Sequence, residues 1–252
     1  MTIAIIPVPG LPMIQPGADL GALLGHAIAA ARVGLKDRDV IAVCQKVVSK
    51  AEGAVVPLAT VEPSAFARHL AAQGGGDRDP RAIEVVLRQT RRIVRNDRGH
   101  LIVETAAGWV CANAGVDHSN GVDDDTVTLL PEDADASAER LRRALETRFG
   151  GSLAVVITDT FGRPWREGLV DVAIGCAGLE PLLDLRGRMD LHGRPLQHTV
   201  MAVADQLAAA AGLAMEKDGA IAAVVVRGAS FRSGAGGAAR HLVRPPELDL
   251  FR

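Results

Sequence analysis

The sequence predicts an α+β fold with mixed or antiparallel sheets and flanking helices. Strand-like and helix-like segments follow one another without the regular βαβ alternation that marks a parallel sheet. Neither a Walker A motif nor a Rossmann fingerprint follows the first apolar strand. A chain of 252 residues suits one large catalytic unit, or two intertwined subdomains, without an obvious linker between them.

The N-terminal half alternates short strands with amphipathic helices. Asp19 is placed to cap a helix that runs to about Val33, because leucines recur on one face behind it. Asp79-Pro80 marks another helix start, with proline at the first helical position. The remaining elements predicted here are strands Ile3–Val8 and Asp39–Val43 and a helix from Ser64 to about Gln73.

The rest of the chain contains a predicted hairpin and two further helices. Strands Arg91–Val94 and Leu101–Thr105 flank a polar turn, which is typical of a hairpin. The other predicted elements are strands Trp109–Ala112, Leu182–Leu185 and Ile221–Val226, a helix from Asp135 or Ser137 to about Arg148, and a helix from about Val200 to Met215.

The composition excludes several classes of protein. The net charge of −2 shows no basic excess, and the chain has no tyrosine, so a nucleic-acid interface is not expected. No apolar stretch approaches the ~20 residues of a membrane span, and the N-terminus lacks the features of a signal peptide. Cys44, Cys111 and Cys176 lie in separate apolar runs, which indicates buried thiols in a reducing compartment. We therefore expect a cytoplasmic protein that acts without membrane or nucleic acid.

The most polar part of the chain lies within Val155–Gly178. A β-branched run, Val155–Ile157, predicts a buried strand, and Asp159 and Thr160 come soon after it in what the sequence presents as a polar loop. Arg163 and Arg166 follow, punctuated by glycine and proline. A salt-bridged surface loop is one interpretation. The alternative is a polyanion site in which Asp159 holds a hard cation and the arginines bind phosphate or carboxylate oxygens.

A second polar concentration follows the strand that ends near Ala112. Asp117 stands there among Asx and Gly residues, which a plain turn would also use. Lys46 and Lys50, four residues apart behind the second strand, are either solvated lysines or phosphate contacts. Acids that gather divalent cations, together with bases that gather phosphate oxygens, are the components of phosphoryl transfer. A phosphohydrolase, a kinase and a ligase all fit these residue types.

Four long segments make the chain resemble a known family, and the resemblance runs from about Ile6 to Phe251. They read TDTFGRPWREGLVDVAIGCAGL, CANAGVDHSN, VCQKVVSKAEG and RHLVRPPELDLF. They resemble the F-420-0:gamma-glutamyl ligases, which add L-glutamate to the precursor of the deazaflavin coenzyme F-420. The resemblance implies a GTP-dependent reaction through an acyl phosphate, releasing GDP and phosphate. It also implies an intertwined homodimer with a fold of its own.

The same resemblance assigns roles to individual residues. It implies that Asp117 and Asp159 hold divalent metal ions and that Thr160 reaches a second one; the ions would be Mg2+ or Mn2+, with K+ also used. Arg163 and Arg166, chosen for their positive charge near Asp159 in the sequence, complete the expected catalytic set. The implied GTP contacts are Leu11, Pro12, Met13, Ile14, Gln45, Lys50 and Asn120.

The chain departs from the family pattern at a few positions. Gln206 follows Ala204-Asp205 where the family has an acid, so the second metal site is either weakened or filled by Asp205. Gln45 stands where serine or threonine is common. We also expect no C-terminal flavin-binding domain, because only Arg252 follows Asp249-Leu250-Phe251. A ligase acting on another carboxylate, and a non-catalytic nucleotide- or deazaflavin-binding protein, remain alternatives.

Overall fold

The structure is a computed structural model of the whole chain, and the description covers residues 2–73, 78–97, 99–118, 125–215, 219–234 and 238–249. Asn120, one of the predicted GTP contacts, and the final residues Leu250–Arg252 lie outside these ranges. Across the described ranges, none of the helices has both the length and the apolar character that a membrane crossing requires.

Helices and strands alternate irregularly along the described chain. The α-helices are α1 Leu20–Ala30, α2 Gln45–Ala51, α3 Ala65–Gln73, α4 Pro80–Arg88, α5 Ala134–Phe149 and α6 Val203–Gly212. The strands are β1 Ala4–Pro7, β2 Val40–Cys44, β3 Val55–Pro57, β4 Thr90–Asp97, β5 His100–Thr105, β6 Val110–Ala112, β7 Thr126–Thr128, β8 Ala154–Arg163, β9 Arg166–Ala177, β10 Leu182–Asp184, β11 Val200–Ala202 and β12 Ala223–Arg227.

A mixed five-stranded sheet forms the centre of the molecule. Its strand order is β1-β12-β2-β8-β9, and the pairing of β2 with β8 is parallel while the other pairs are antiparallel. Side chains alternate between the two faces of each strand. Val155 and Ile157 therefore pack toward α1 and α5, whereas Val156 packs toward α6. The sheet is covered by helices on both faces.

A smaller part of the fold lies beside this sheet. Strands β4, β5 and β6 form an antiparallel sheet, and α3 and α4 cover it with a separate apolar cluster. Strand β3 pairs with β7, and β10 pairs with β11, as short two-stranded ribbons. This smaller sheet matters for the candidate site because β6 leads into the segment that carries Asp117.

The predicted fold class is confirmed, and so are two helix caps. Asp19 accepts a hydrogen bond from the Ala22 amide at 2.9 Å, and Asp79 accepts one from the Arg81 amide at 2.8 Å. Two predicted helix starts were wrong. Helix α5 is capped by Asp133, and residues 200–202 form a strand before α6 begins.

The prediction of a polar loop after Ile157 was also wrong. Residues 154–177 form one long β-hairpin, and its two strands are joined by a tight turn at Pro164 and Trp165. Trp165 has a φ of 57° in that turn and is 80% exposed. Cross-strand backbone hydrogen bonds continue through the polar part of the sequence, so Asp159 and Thr160 lie within a strand.

Candidate active site

Asp159 and Thr160 lie on opposite faces of strand β8. Asp159 faces the same side as Ile157 and Phe161, which pack toward α1 and α5. Thr160 faces the α6 side, where its hydroxyl donates to the Asp171 carboxylate at 2.5 Å. The hairpin therefore places one of these polar side chains on each face of the sheet. In a loop, two consecutive residues would not be held on opposite faces.

Asp159 is close to strand β6. Burial raises the pKa of the Cys111 thiol to about 12, and the negative charge of Asp159 adds to that shift. Cys111 is in the middle of β6, six residues before Asp117. Both predicted metal-binding acids are thus near β6. Asp159 lies beside the strand, and Asp117 follows its end along the chain.

Asp117 is held in place by backbone and side-chain contacts. A 3₁₀ turn at Asn113–Gly115 follows β6, and Asp117 then exchanges two backbone hydrogen bonds with Thr128, at 3.0 and 2.9 Å. Its Oδ2 atom lies 2.7 Å from Nζ of Lys46 on helix α2. The sequence suggested Lys46 as a source of positive charge, and the structure brings it directly to the acid.

Lys50 belongs to the same cluster. It lies one turn after Lys46 on α2, and the residue is only 6% exposed. Burial lowers the pKa of the Lys50 ammonium, and the neighbouring Lys46 charge lowers it further, while Cys44 and Asp117 act in the opposite direction. Two ammonium groups thus crowd around one carboxylate, which favours the binding of additional negative charge.

The sequence did not predict that Lys46 and Lys50 are on a helix. Gln45, which begins α2, is 2% exposed, and its amide donates to Ser49 Oγ at 2.7 Å and to the Leu129 carbonyl at 2.9 Å. The bond to Leu129 fixes α2 against the chain that follows β7, and the bond to Ser49 lies within the helix. Gln45 therefore has a positioning function visible in the structure, in addition to its predicted GTP contact.

The other predicted GTP contacts lie on a loop between β1 and α1. Ile14 is 3% exposed and belongs to the main core, and Leu11 is half-buried against it. Pro12 and Met13 are exposed. Ile14 and Leu11 thus anchor the loop, and Pro12 and Met13 are the members of this set whose side chains reach the surface.

Arg163 and Arg166 lie at the tip of the hairpin, away from Asp159. Four residues separate Arg163 from Asp159 along an extended strand, which corresponds to roughly 13 Å between their Cα atoms. The Arg163 guanidinium donates to the carbonyl of Glu167 at 3.0 Å, and Arg166 is exposed. Within the described chain, the structure does not bring these arginines beside Asp159.

The two acids suit a hard divalent cation. Mg2+ keeps several waters and usually takes only one or two protein carboxylates, which Asp117 and Asp159 could supply. In the described part of the chain, no group of three or more His, Cys, Asp or Glu side chains is arranged so that it could hold a metal ion. Two carboxylates fit a partly hydrated ion that keeps several of its waters.

Asp205, the acid beside Gln206, contacts the hairpin. Its Oδ1 atom accepts a hydrogen bond from the Ala173 amide at 3.0 Å, and burial raises the pKa of its carboxyl group. Gln206 is exposed on α6. The acid that contacts Thr160 is Asp171. The sequence alone does not reveal this pair, because the pairing of Asp171 with Thr160 depends on the register of the hairpin.

The model of the F420-0:gamma-glutamyl ligase family matches residues 10–228. The chain belongs to this family. It is 44% identical over 256 residues to the coenzyme F420:L-glutamate ligase of Methanothermobacter thermautotrophicus, covering all of both chains. It is 46% identical over 255 residues to the enzyme of that name from Methanopyrus kandleri, covering 100% of this chain and 98% of the relative. A third relative of the same name, from Methanocaldococcus jannaschii, is 40% identical over 243 residues, covering 96% and 94%.

These similarities confirm the resemblance identified from the four sequence segments. Membership of a ligase family makes the chain an enzyme of the amide-forming ligase class. The matched residues include α2, Asp117 and the entire hairpin, so the clustered polar groups lie within the part of the chain that defines the family.

Proposed function

We propose that the chain joins L-glutamate to the precursor of coenzyme F-420 in a GTP-dependent reaction. A carboxylate oxygen of the precursor attacks the γ-phosphorus of GTP, and GDP leaves. The amine of glutamate then attacks the carbonyl carbon of the acyl phosphate, losing a proton, and phosphate leaves as the amide forms. The names of the relatives support the two joined substrates, and the site supports the phosphate chemistry.

The observation that carries the proposal is the cluster of Lys46, Lys50 and Asp117. Burial and the neighbouring Lys46 charge both disfavour the Lys50 ammonium, and Asp117 offsets part of that cost. The polyphosphate of a nucleotide would supply further negative charge, through charge-assisted hydrogen bonds. Pro12 and Met13 would contact the nucleotide from their exposed loop, with Asn120 and Gln45 completing the proposed contacts.

Asp117 and Asp159 would hold a Mg2+ or Mn2+ ion, and Thr160 would hold a second one. The ion at Asp117 and Asp159 would neutralise the oxygens around the transferred phosphoryl group, and the Thr160 ion would lie on the other face of β8. The chain's own contribution would be to hold Asp159 within β8 and Asp117 beyond the end of β6, with Lys46 and Lys50 beside Asp117. Arg163 and Arg166 would bind anionic groups at the hairpin tip. The use of K+ is proposed from the family resemblance alone.

We also propose that the chain forms a homodimer. Several large apolar side chains are exposed on the hairpin and on the ribbon formed by β10, β11 and the chain between them. They are Trp165, Leu169, Met189, Leu191, Val200 and Met201. Exposed large apolar side chains are candidates for burial against a partner. A partner subunit that covers this surface could also use Arg163 and Arg166, which lie away from Asp159 of their own chain.

The direct test is an assay with GTP, Mn2+, L-glutamate and the coenzyme precursor, followed by mass spectrometry. The proposal predicts products heavier by whole glutamyl residues, in step with GDP release. Release of GDP only when another carboxylic acid is supplied would favour a ligase with a different substrate. Nucleotide binding without any GDP release would favour a non-catalytic protein. Asp117→Asn is the matched negative control, since it removes one charge and keeps the side-chain size.

A further inference from the structure

Thr160 and Asp171 form a tight pair on the α6 side of the hairpin. They are directly opposite each other in the pairing of β8 with β9. The Thr160 hydroxyl donates to Asp171 Oδ1 at 2.5 Å, the short distance typical of a hydroxyl bonded to a charged carboxylate. Because its proton is committed to Asp171, the Thr160 oxygen meets any further group through its lone pairs.

The end of helix α6 rests on the same carboxylate. A Cβ atom built on Gly212, the last residue of α6, would come within 2.4 Å of Asp171 Oδ2. The C-terminal end of a helix carries a partial negative charge, which disfavours a nearby carboxylate. The last turn of α6 contains no basic residue. A carboxylate and a negative helix end therefore meet here, and a cation would relieve their repulsion.

No described side chain supplies that cation. Within the described residues, the Asp171 side chain accepts the hydrogen bond from Thr160 and forms no ion pair with lysine, arginine or histidine. The carboxylate is half-buried, so solvent screens it incompletely. The negative charge is thus built into the hairpin and left without a cationic partner from the described part of the chain.

We infer that Asp171 is a positioning residue for a divalent cation bound through Thr160. It accepts the Thr160 proton, turns the oxygen lone pairs toward the cation, and adds negative potential behind a ligand that is otherwise neutral. Partners of this kind, behind a metal ligand, typically contribute ten- to hundredfold to metal affinity. The inference rests on the proposed function, in which Thr160 holds the second divalent ion.

The test measures Mn2+ binding by thermal melting of the full chain without substrates. Two Mn2+-binding steps are expected, one for each proposed ion. Asp171→Ala and Thr160→Val are each expected to weaken the apparent Mn2+ affinity of one of these steps at least about tenfold. The double variant is expected to be no weaker than Thr160→Val alone, because Asp171 acts through Thr160. Asp171→Asn, which keeps an acceptor oxygen, is expected to lose less affinity than Asp171→Ala, and it serves where the alanine variant does not fold.

Glu167→Gln is the matched control, since it removes one exposed acid from the same strand. It is expected to leave the Mn2+ titration unchanged. A wild-type response retained in both Asp171 variants would overturn the inference while the proposed function stands, as would additive losses in the double variant. A wild-type protein with no Mn2+ response would overturn this inference and the metal part of the proposed function together.

Discussion

The ammonium of Lys46 lies 2.7 Å from the carboxylate of Asp117, joining helix α2 to the segment beyond β6. A lysine bonded to a proposed metal ligand competes with the metal for the same oxygen. If a cation bound Asp117 as proposed, the ammonium would be released toward any phosphate that accompanied the cation. The pair would therefore couple metal binding to nucleotide binding.

Lys46→Met should separate these two effects. Removal of the competing ammonium is expected to tighten Mn2+ binding in the absence of nucleotide. Loss of a phosphate contact is expected to raise the Kd for GTP by about tenfold, or roughly 1.4 kcal/mol. Isothermal titration with Mn2+ and then with GTP measures both. Weakened affinity for Mn2+ alone would show that Lys46 does not compete for Asp117.

Asp117→Asn and Asp159→Asn should each abolish turnover and leave the fold intact. Asn keeps the size and one acceptor oxygen, but it removes the charge that a hard cation needs. Neither Asp117 nor Asp159 is fully buried, so the core does not depend on its side chain. Melting curves with and without Mn2+ and GTP should show an unchanged apo Tm and a lost ligand-induced gain. Near-normal turnover in either variant would remove that residue from the mechanism.

Lys50→Ala should weaken GTP binding more than it disturbs folding. A charge-assisted hydrogen bond to phosphate contributes ~1.5–3 kcal/mol, which corresponds to roughly ten- to hundredfold in Kd. Because burial penalises the Lys50 charge in the free protein, the apo Tm should stay close to that of the wild type or rise. An unchanged Kd for GTP would return Lys50 to a purely structural role.

Asp205→Asn should make the protein less sensitive to rising pH. Burial raises the folded-state pKa of Asp205, so its favourable contribution is present below the unfolded pKa and is lost as pH rises through the folded value. Asn cannot ionise and keeps an oxygen for the Ala173 amide. The Tm difference, variant minus wild type, should therefore grow from acidic to neutral pH. Glu132→Gln, at an exposed acid, is the control, and a constant difference across pH would contradict the account.

Local sequence signals predicted the features that depend on neighbouring residues. The β-branched run Val155–Ile157 is a buried strand, and Asp19 and Asp79 cap their helices, because propensity and capping act over a few residues. Helix α2 escaped prediction because a seven-residue helix is not stable by itself and forms through packing against the sheet.

The candidate site was predicted as residue types and not as geometry. Asp117 and Asp159 could be chosen from their motifs, but the Lys46 contact and the Thr160–Asp171 pair depend on tertiary packing and strand register. In the sequence, Gly162, Pro164 and Gly168 resemble loop residues. In the structure, Pro164 is part of the hairpin turn and the two glycines lie in the strands on either side of it. Turn residues in the sequence could not reveal how far the strands pair on either side.

The central claim is that this site activates a carboxylate as an acyl phosphate, and isotope transfer tests it most directly. The coenzyme precursor is labelled with a heavy oxygen isotope in its reacting carboxylate and incubated with GTP, Mn2+ and L-glutamate. The account predicts that each amide formed releases one phosphate carrying one labelled oxygen, since the carboxylate oxygen that attacks phosphorus leaves with it. Amide formation with unlabelled phosphate would contradict it.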